Sequence, residues 1–136
     1  MFKIDDEHIL LGTYAGVLHW FNVETGADES STECHHSALT FVQQSKDGSL
    51  LLTSSAFVCP LSSLWRIGET QEHMINFPDE YHVEFCKMGQ DRIIGTQGST
   101  ATIYDTETGR AVVRLFDEDL ANNYARNRFD YCAFID

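Results

Sequence analysis

Short apolar stretches alternate with polar turns along the whole chain. The stretches are four to seven residues long, rich in Val, Ile, Leu, Thr, Phe and Tyr, and separated by polar segments such as residues 45–49 and 87–91. Runs of this length and composition are typical of β-strands. No stretch is long enough with a 3.6-residue period to predict a helix. The pattern therefore predicts an all-β protein built from short strands.

The apolar stretches recur as a unit of constant length. The segment LLGT at 10–13 is echoed by LLTS at 51–54 and by IIGT at 93–96, and the segment centres lie 41 and 42 residues apart. A stretch containing an aromatic residue, a polar turn and a further stretch follow each copy. Four short antiparallel strands that repeat every ~40–45 residues are the sequence signature of a β-propeller blade.

The chain has room for about three blades. We place the blades at residues 2–32, 39–77 and 81–116, an inter-blade insertion at 117–128, and the start of the next blade at 129–136. Propellers use ~4–8 blades, so we expect this chain to be a piece of a larger propeller. The predicted fold class is all-β: a partial WD-repeat β-propeller of about three four-stranded antiparallel blades plus the first strand of a fourth.

The finer motif of a WD repeat is degenerate in this chain. Such a repeat has Gly-His near its start, and here one unit reads Cys34-His35, which we interpret as the structural histidine. The Trp-Asp that ends the third strand reads Phe21-Asn22, Trp65-Arg66 and Tyr104-Asp105. The usual buried chain of His, Ser or Thr, Asp and Trp is therefore expected to be incomplete in every blade, which leaves apolar packing as the main stabilising contribution.

Charge and composition narrow the class of protein. Hydrophobic residues make up 43% of the chain without any apolar run near the ~18–20 residues of a membrane span, so neither disorder nor a transmembrane helix is predicted. The net charge of −12 disfavours direct binding to nucleic acid or to an anionic membrane. The acidic residues are scattered, and we interpret them as solvated loops or, alternatively, as an acidic rim for a basic partner. Without a signal-peptide pattern, we expect the nucleus and cytoplasm.

Catalytic and metal chemistry has little support in the sequence. The cluster at 34–36, Cys-His-His, could suggest a metal, but adjacent side chains on an extended strand point to opposite faces, and zinc needs about four ligands. The four cysteines form no CxxC pair, which favours buried reduced thiols. No cysteine and histidine have a spacing specific for a hydrolase. We therefore predict no catalytic residue, no metal and no cofactor.

Two loops are the best candidates for binding a partner. One lies in the segment 77–85, where residues 79–81 precede an innermost strand near the central channel, and the other is the insertion at 119–127. Long loops on a rigid scaffold often carry function, and Tyr and Arg are favoured interface anchors. The alternative is that these side chains only cap and pack the turns. The candidate residues are Asp79, Glu80, Tyr81, Asn122, Asn123, Tyr124 and Arg126.

Several longer segments resemble one particular family. The most specific is DLANNYARN at 119–127, because it falls in a linker that a generic blade lacks. The others are CHHSAL at 34–39, DGSLLLTS at 47–54, HVEF at 82–85 and QDRIIGT at 90–96. Together they resemble the WD-repeat domain of the Vpr-binding protein family, which provides the substrate receptor of a cullin-4 RING ubiquitin ligase.

The resemblance implies a seven-bladed propeller that presents protein substrates to the ligase, acts in protein ubiquitination and has no catalysis of its own. Family members dock onto the ligase's damaged-DNA-binding adaptor partly through Trp-Asp-x-Arg boxes. At the three equivalent places here, the final arginine of the box is replaced by Glu24, Gly68 and Glu107. We therefore expect the adaptor to bind through parts that lie outside this chain. Two alternatives stay open: a WD-repeat scaffold unrelated to ubiquitination and, less favoured, an enzyme with an active site on a propeller face.

Overall fold

The regular structure of the described residues consists of β-strands alone. The computed structural model describes residues 2–3, 7–55, 61–78, 82–85, 92–97 and 100–116. The first sheet contains β1 (Phe2–Lys3), β2 (His8–Gly12), β3 (Val17–Asn22) and β4 (Asp28–Glu33). The second contains β5 (Phe41–Gln44), β6 (Leu50–Ser55), β7 (Leu61–Ile67) and β8 (Gln71–Pro78). The third contains β9 (His82–Phe85), β10 (Arg92–Gln97), β11 (Thr100–Asp105) and β12 (Ala111–Phe116).

Each sheet is an antiparallel meander in which every strand pairs with the next one along the chain. This arrangement confirms the all-β prediction and its three four-stranded units. The predicted insertion at 117–128 and the strand beginning at 129 lie outside the described residues. Within the part of the chain that the structure describes, no helix has the length and apolar character needed to cross a membrane.

Two turns of the first and third sheets are built in the same way. The side-chain oxygen of Asn22 accepts hydrogen bonds from the backbone N–H groups two and three residues later, at 2.9 and 3.0 Å. Asp105 does the same at 2.9 and 3.0 Å. Each turn then closes through a glycine with a φ of 70°, Gly26 or Gly109, a conformation that favours glycine. The third-strand Asp position of the WD motif is therefore used here as a turn cap.

Apolar side chains pack between neighbouring sheets in two clusters. Strand β6 contributes to both clusters, because successive side chains of a strand point to opposite faces: Leu51 faces the first sheet and Leu52 faces the third. The first cluster contains Leu10, Leu18, Val42, Leu51 and Trp65. The second contains Leu52, Leu64, Phe77, Val83, Phe85 and Ile93. The second sheet is thus covered on both faces.

Candidate partner-binding surface

The seven residues predicted to bind partners lie outside the described residues. They are Asp79, Glu80 and Tyr81 of the first loop and Asn122, Asn123, Tyr124 and Arg126 of the insertion. Their role in binding stays a prediction. The described residues instead contain two features where the first sheet meets the second: a buried chain of hydrogen bonds and an open cleft.

The buried chain joins three side chains of the second unit. His35 precedes β5, Thr53 lies in β6 and Trp65 lies in β7, and their exposed fractions are 3%, 0% and 6%. Trp65 Nε1 donates to Thr53 Oγ1 at 2.9 Å, and His35 Nε2 lies 2.8 Å from the same oxygen. The hydroxyl can thus accept from the indole while it donates to the imidazole. His35 is held as a structural histidine, as the sequence predicts.

The expectation of an incomplete chain is confirmed in this unit. The aspartate has no counterpart, because Nδ1 of His35, the second ring nitrogen, is buried without a hydrogen-bond partner among the described residues. The other three members are nevertheless connected through Thr53. Loss of the aspartate therefore shortens the WD-type chain from one end and leaves the link between β6, β7 and the segment before β5.

Burial lowers the pKa of His35 from 6.5 to about 4. Its hydrogen bond to Thr53 opposes this shift, whereas charge on His36 and His73 adds to it. The ring is therefore neutral at pH 7, with Nε2 engaged by Thr53. Across the described residues, no group of three His, Cys, Asp or Glu is arranged to hold a metal ion. The Cys-His-His cluster is thus divided between a buried, bonded imidazole and an outward-facing His36 that is 97% exposed.

Cys34 is suited to packing and poorly suited to nucleophilic chemistry. Burial raises the pKa of its thiol to about 11, although a hydrogen bond from Gln71 opposes the shift. The thiol group lies 3.6 Å from the backbone carbonyl oxygen of Thr32, to which it donates. A thiol with a raised pKa is protonated at neutral pH, and the reactive or metal-binding form is the thiolate.

The lowered pKa of His35 makes the stability of the fold depend on pH. Well above pH 6.5 this histidine is neutral in both the folded and the unfolded chain. Below pH 6.5 the unfolded chain binds a proton that the folded chain excludes, so the free energy of unfolding decreases until about pH 4. We expect the free energy of unfolding to fall by about 2 kcal/mol from pH 7 to pH 5 through this residue. Urea unfolding at the two pH values measures it. The loss should largely disappear in His35→Gln and persist in the exposed-site control His36→Gln; an unchanged loss in His35→Gln would contradict the assignment.

The open cleft has a volume of about 460 Å³ and lies between the first sheet and the β7–β8 hairpin of the second. One side is formed by the half-buried indole of Trp20 in β3 and by residues 29–32 of β4. The other side is formed by residues 67–71, the turn into β8, with Gln44 nearby. Cross-strand pairing brings Trp20 opposite Ser30, so both lie on the face of the first sheet that meets the cleft.

Hydrogen bonds fix two of the cleft's side chains. The carboxylate of Glu29 lies 2.9 Å from His8 Nε2 through one oxygen and accepts a 3.3 Å hydrogen bond from Asn22 Nδ2 through the other. Gln71 bridges the two sheets: its Oε1 accepts from Trp20 Nε1 at 3.4 Å, and its Nε2 lies 3.4 Å from the sulfur of Cys34. The cleft is therefore lined by preorganised side chains: the Trp20 indole and the Glu29 carboxylate on one side and Gln71 on the other.

Sequence reasoning did not find this cleft because its residues are far apart along the chain. His8 and Gln71, which line the same opening, are separated by most of two repeats. The only indication of the cleft in the sequence was the set of scattered acidic residues, which were interpreted above as solvated loops or as a rim for a basic partner. Two of them, Glu29 and Glu69, line the cleft.

Two curated relatives are similar to this chain over most of its length. One is named DDB1- and CUL4-associated factor homolog 1, from Caenorhabditis elegans, and is 49% identical over 111 residues, or 82% of the chain. The chain belongs to the Vpr-binding protein family. Protein mahjong, from Drosophila melanogaster, is 32% identical over 127 residues, or 93% of the chain. The chain spans only 6% and 8% of these two relatives of the Vpr-binding protein family, and no family model matches it.

Solved structures confirm the fold of this Vpr-binding protein family segment. The β-propeller domain of Cps50 (Swd1) from Myceliophteria thermophila matches 85% of the chain with a TM-score of 0.74, at 16% identity and over 39% of its own length. A chain of the mitotic checkpoint complex matches 83% with a TM-score of 0.70, at 13% identity and over 36% of its length. U3-55K matches 83% with a TM-score of 0.67, at 18% identity and over 37% of its length. The predicted partial WD-repeat propeller is therefore confirmed.

Proposed function

We propose that this chain is a protein-interaction scaffold: the substrate-recruiting propeller, or a part of it, of a cullin-4 RING ubiquitin ligase. The observation that carries the proposal is its 49% identity to a protein whose name states an association with DDB1 and CUL4. The chain itself acts without catalysis, by holding a protein substrate near the ligase. It acts in the nucleus and the cytoplasm, on protein ubiquitination.

The turn geometry supports different roles for this segment and for the rest of the ligase receptor in binding the adaptor and the substrate. The arginine of a Trp-Asp-x-Arg box is replaced by Glu24, Gly68 and Glu107 at the three equivalent places. In the first and third sheets the preceding polar residue, Asn22 or Asp105, caps its own turn. The adaptor therefore docks through other parts of the receptor, and this segment contributes the surface that faces the substrate.

Affinity purification of the endogenous polypeptide that carries this sequence tests the proposal. We expect the damaged-DNA-binding adaptor and cullin-4 to co-purify, and depletion of the polypeptide to lower the ubiquitination of the proteins that it binds. Mass analysis of the purified polypeptide in the same experiment reports which further segments accompany these 136 residues. Recovery without cullin-4 or adaptor, together with unchanged ubiquitination of its bound proteins, would favour a WD-repeat scaffold unrelated to ubiquitination.

The insertion residues provide a sharper test of the substrate side. Tyr124→Ala with Arg126→Ala, made in the natural polypeptide, should reduce substrate capture by at least about tenfold, because Tyr and Arg anchors dominate many interfaces. Adaptor binding should stay unchanged. The matched control is Tyr14→Ala with Arg66→Ala, which removes an exposed tyrosine and an exposed arginine elsewhere. Equal capture by both variants and the unmutated protein would remove the insertion from the binding surface.

A further inference from the structure

We propose that the cleft between the first and second sheets binds an arginine side chain of a basic partner polypeptide. This inference goes beyond the ligase role and does not depend on it, because it rests on the shape, charge and chemistry of the described residues alone. A volume of about 460 Å³ lies within the range of pockets that hold small ligands, ~300–1,000 Å³. The cleft therefore has room for one long side chain and part of its backbone.

The charge of the cleft selects a cation. Glu29 and Glu69 line it, and among its described lining residues there is no lysine or arginine. Glu29 is held by His8 and Asn22 but retains lone pairs, because a carboxylate offers about four acceptor sites. Glu69 lies on the exposed turn before β8. With a net charge of −12 on the chain, an acidic ligand would be repelled and a basic one attracted.

The aromatic wall and the hydroxyl groups select arginine over lysine. The indole of Trp20 is half-buried at the cleft, and a guanidinium stacks on an aromatic face through both cation–π and planar contact. Ser30, Thr32 and Thr70 add hydroxyl oxygens around the opening. A guanidinium has five N–H donors in a fixed plane that can use several such acceptors, whereas an ammonium is a compact and strongly hydrated charge.

The indole N–H signals of the protein provide a direct assay by NMR. The chain has two tryptophans. Trp20 lies at the cleft, whereas Trp65 is buried and donates a hydrogen bond to Thr53. We expect N-acetyl-arginine amide to shift the Trp20 signal with a Kd in the low millimolar range and to leave the Trp65 signal in place. N-acetyl-citrulline amide, which has nearly the same shape without the charge, should cause no shift. N-acetyl-lysine amide should bind at least about threefold more weakly.

Charge-removing variants locate the interaction. Glu69→Gln should weaken binding of N-acetyl-arginine amide by about threefold to tenfold, and Glu29→Gln should do the same. Glu24→Gln is the matched control, because Glu24 is exposed on the β3–β4 turn and does not line the cleft. The affinity of this variant for N-acetyl-arginine amide should equal that of the unmutated chain. An unmoved Trp65 signal verifies that each variant is folded. The proposal is overturned by equal shifts at both tryptophans, by equal binding of citrulline or lysine, or by full affinity in Glu69→Gln.

These outcomes separate the cleft from the ligase assignment. Binding of N-acetyl-arginine amide at Trp20 by a polypeptide that recovers no cullin-4 component would support the cleft and reject the ligase role. Recovery of the ligase by a polypeptide whose Trp20 signal does not respond to N-acetyl-arginine amide would support the ligase role and reject the cleft.

Discussion

Thr53→Val is expected to lower the free energy of unfolding by about 3 kcal/mol, although valine has nearly the same shape as threonine. The threonine hydroxyl is fully buried and serves two partners at once, the indole N–H of Trp65 and Nε2 of His35. Valine would leave both of them buried without a partner. A buried polar group that loses its hydrogen bond costs about 1–3 kcal/mol, and two such losses in one network explain the size of the effect.

The third sheet supplies a matched control for this prediction. Thr96 is also fully buried in an inner strand, but its Oγ1 has no hydrogen-bond partner among the described residues. Thr96→Val removes a hydroxyl that makes no such bond, so we expect a change within about 0.5 kcal/mol or a small gain in stability. Urea unfolding of both variants measures the difference. Equal losses at Thr53 and Thr96 would show that the cost arises from packing and not from the hydrogen-bond chain.

The strands and sheets could be predicted from the sequence because their signal is local. Runs of four to seven residues that are rich in β-branched and aromatic side chains and bounded by turn residues indicate strands without any knowledge of the rest of the fold. The recurrence of these strands at a constant spacing then indicates blades, because a blade buries its faces only against its neighbours. The number of sheets and the order of their strands follow from these two facts.

The hydrogen-bond chain was only half visible in the sequence. His35 was identified from its place in the repeat, and the replacement of the motif's aspartate by Arg66 indicated that the network is incomplete. The network survives because the hydroxyl of Thr53 accepts and donates at once, and this depends on the three-dimensional register of β6 against β7. Motif matching counts residue types, whereas the interaction depends on which atoms meet.

The cleft could not be found from local patterns at all. Its walls come from β3, β4 and the turn before β8, which adjoin only when the two sheets pack. Glu29 and Glu69 each look like ordinary surface acids in the sequence, and their shared opening next to Trp20 becomes visible only in the structure. Sites formed between repeats require the packing geometry, because no single repeat contains them.

Gly16→Ala is expected to produce the largest loss of stability, more than about 4 kcal/mol, because its backbone lies directly against another segment. A Cβ at this position would lie 2.6 Å from the carbonyl carbon of His35 and 2.7 Å from the oxygen of Ser37, and closer still to the oxygen of His35. The glycine also has a φ of +85°, which disfavours a side chain. Its own carbonyl accepts hydrogen bonds from the N–H groups of Cys34 and His35, at 2.9 and 3.2 Å.

Gly26→Ala is the matched control for the backbone conformation. Gly26 has a similar φ of +70°, but a Cβ there would meet no atom within 4 Å. Its loss should be limited to the cost of a left-handed residue, about 1–2 kcal/mol. The difference between the two variants in urea unfolding therefore reports the close approach of the β2–β3 turn to the segment that carries His35. Equal losses in the two variants would mean that this approach relaxes at little cost.

A double-mutant cycle tests whether Gly16 and Thr53 stabilise the same structural unit. Displacement of residues 34–37 by an alanine at position 16 would move His35 away from Thr53, so the chain of hydrogen bonds should already be broken in Gly16→Ala. The double variant Gly16→Ala with Thr53→Val should then lose clearly less than the sum of the two single losses. Gly26→Ala with Thr53→Val should be additive within about 0.5 kcal/mol, since residues without shared partners do not couple. Additivity in both pairs would show that the turn and the hydrogen-bond chain stabilise the sheets independently.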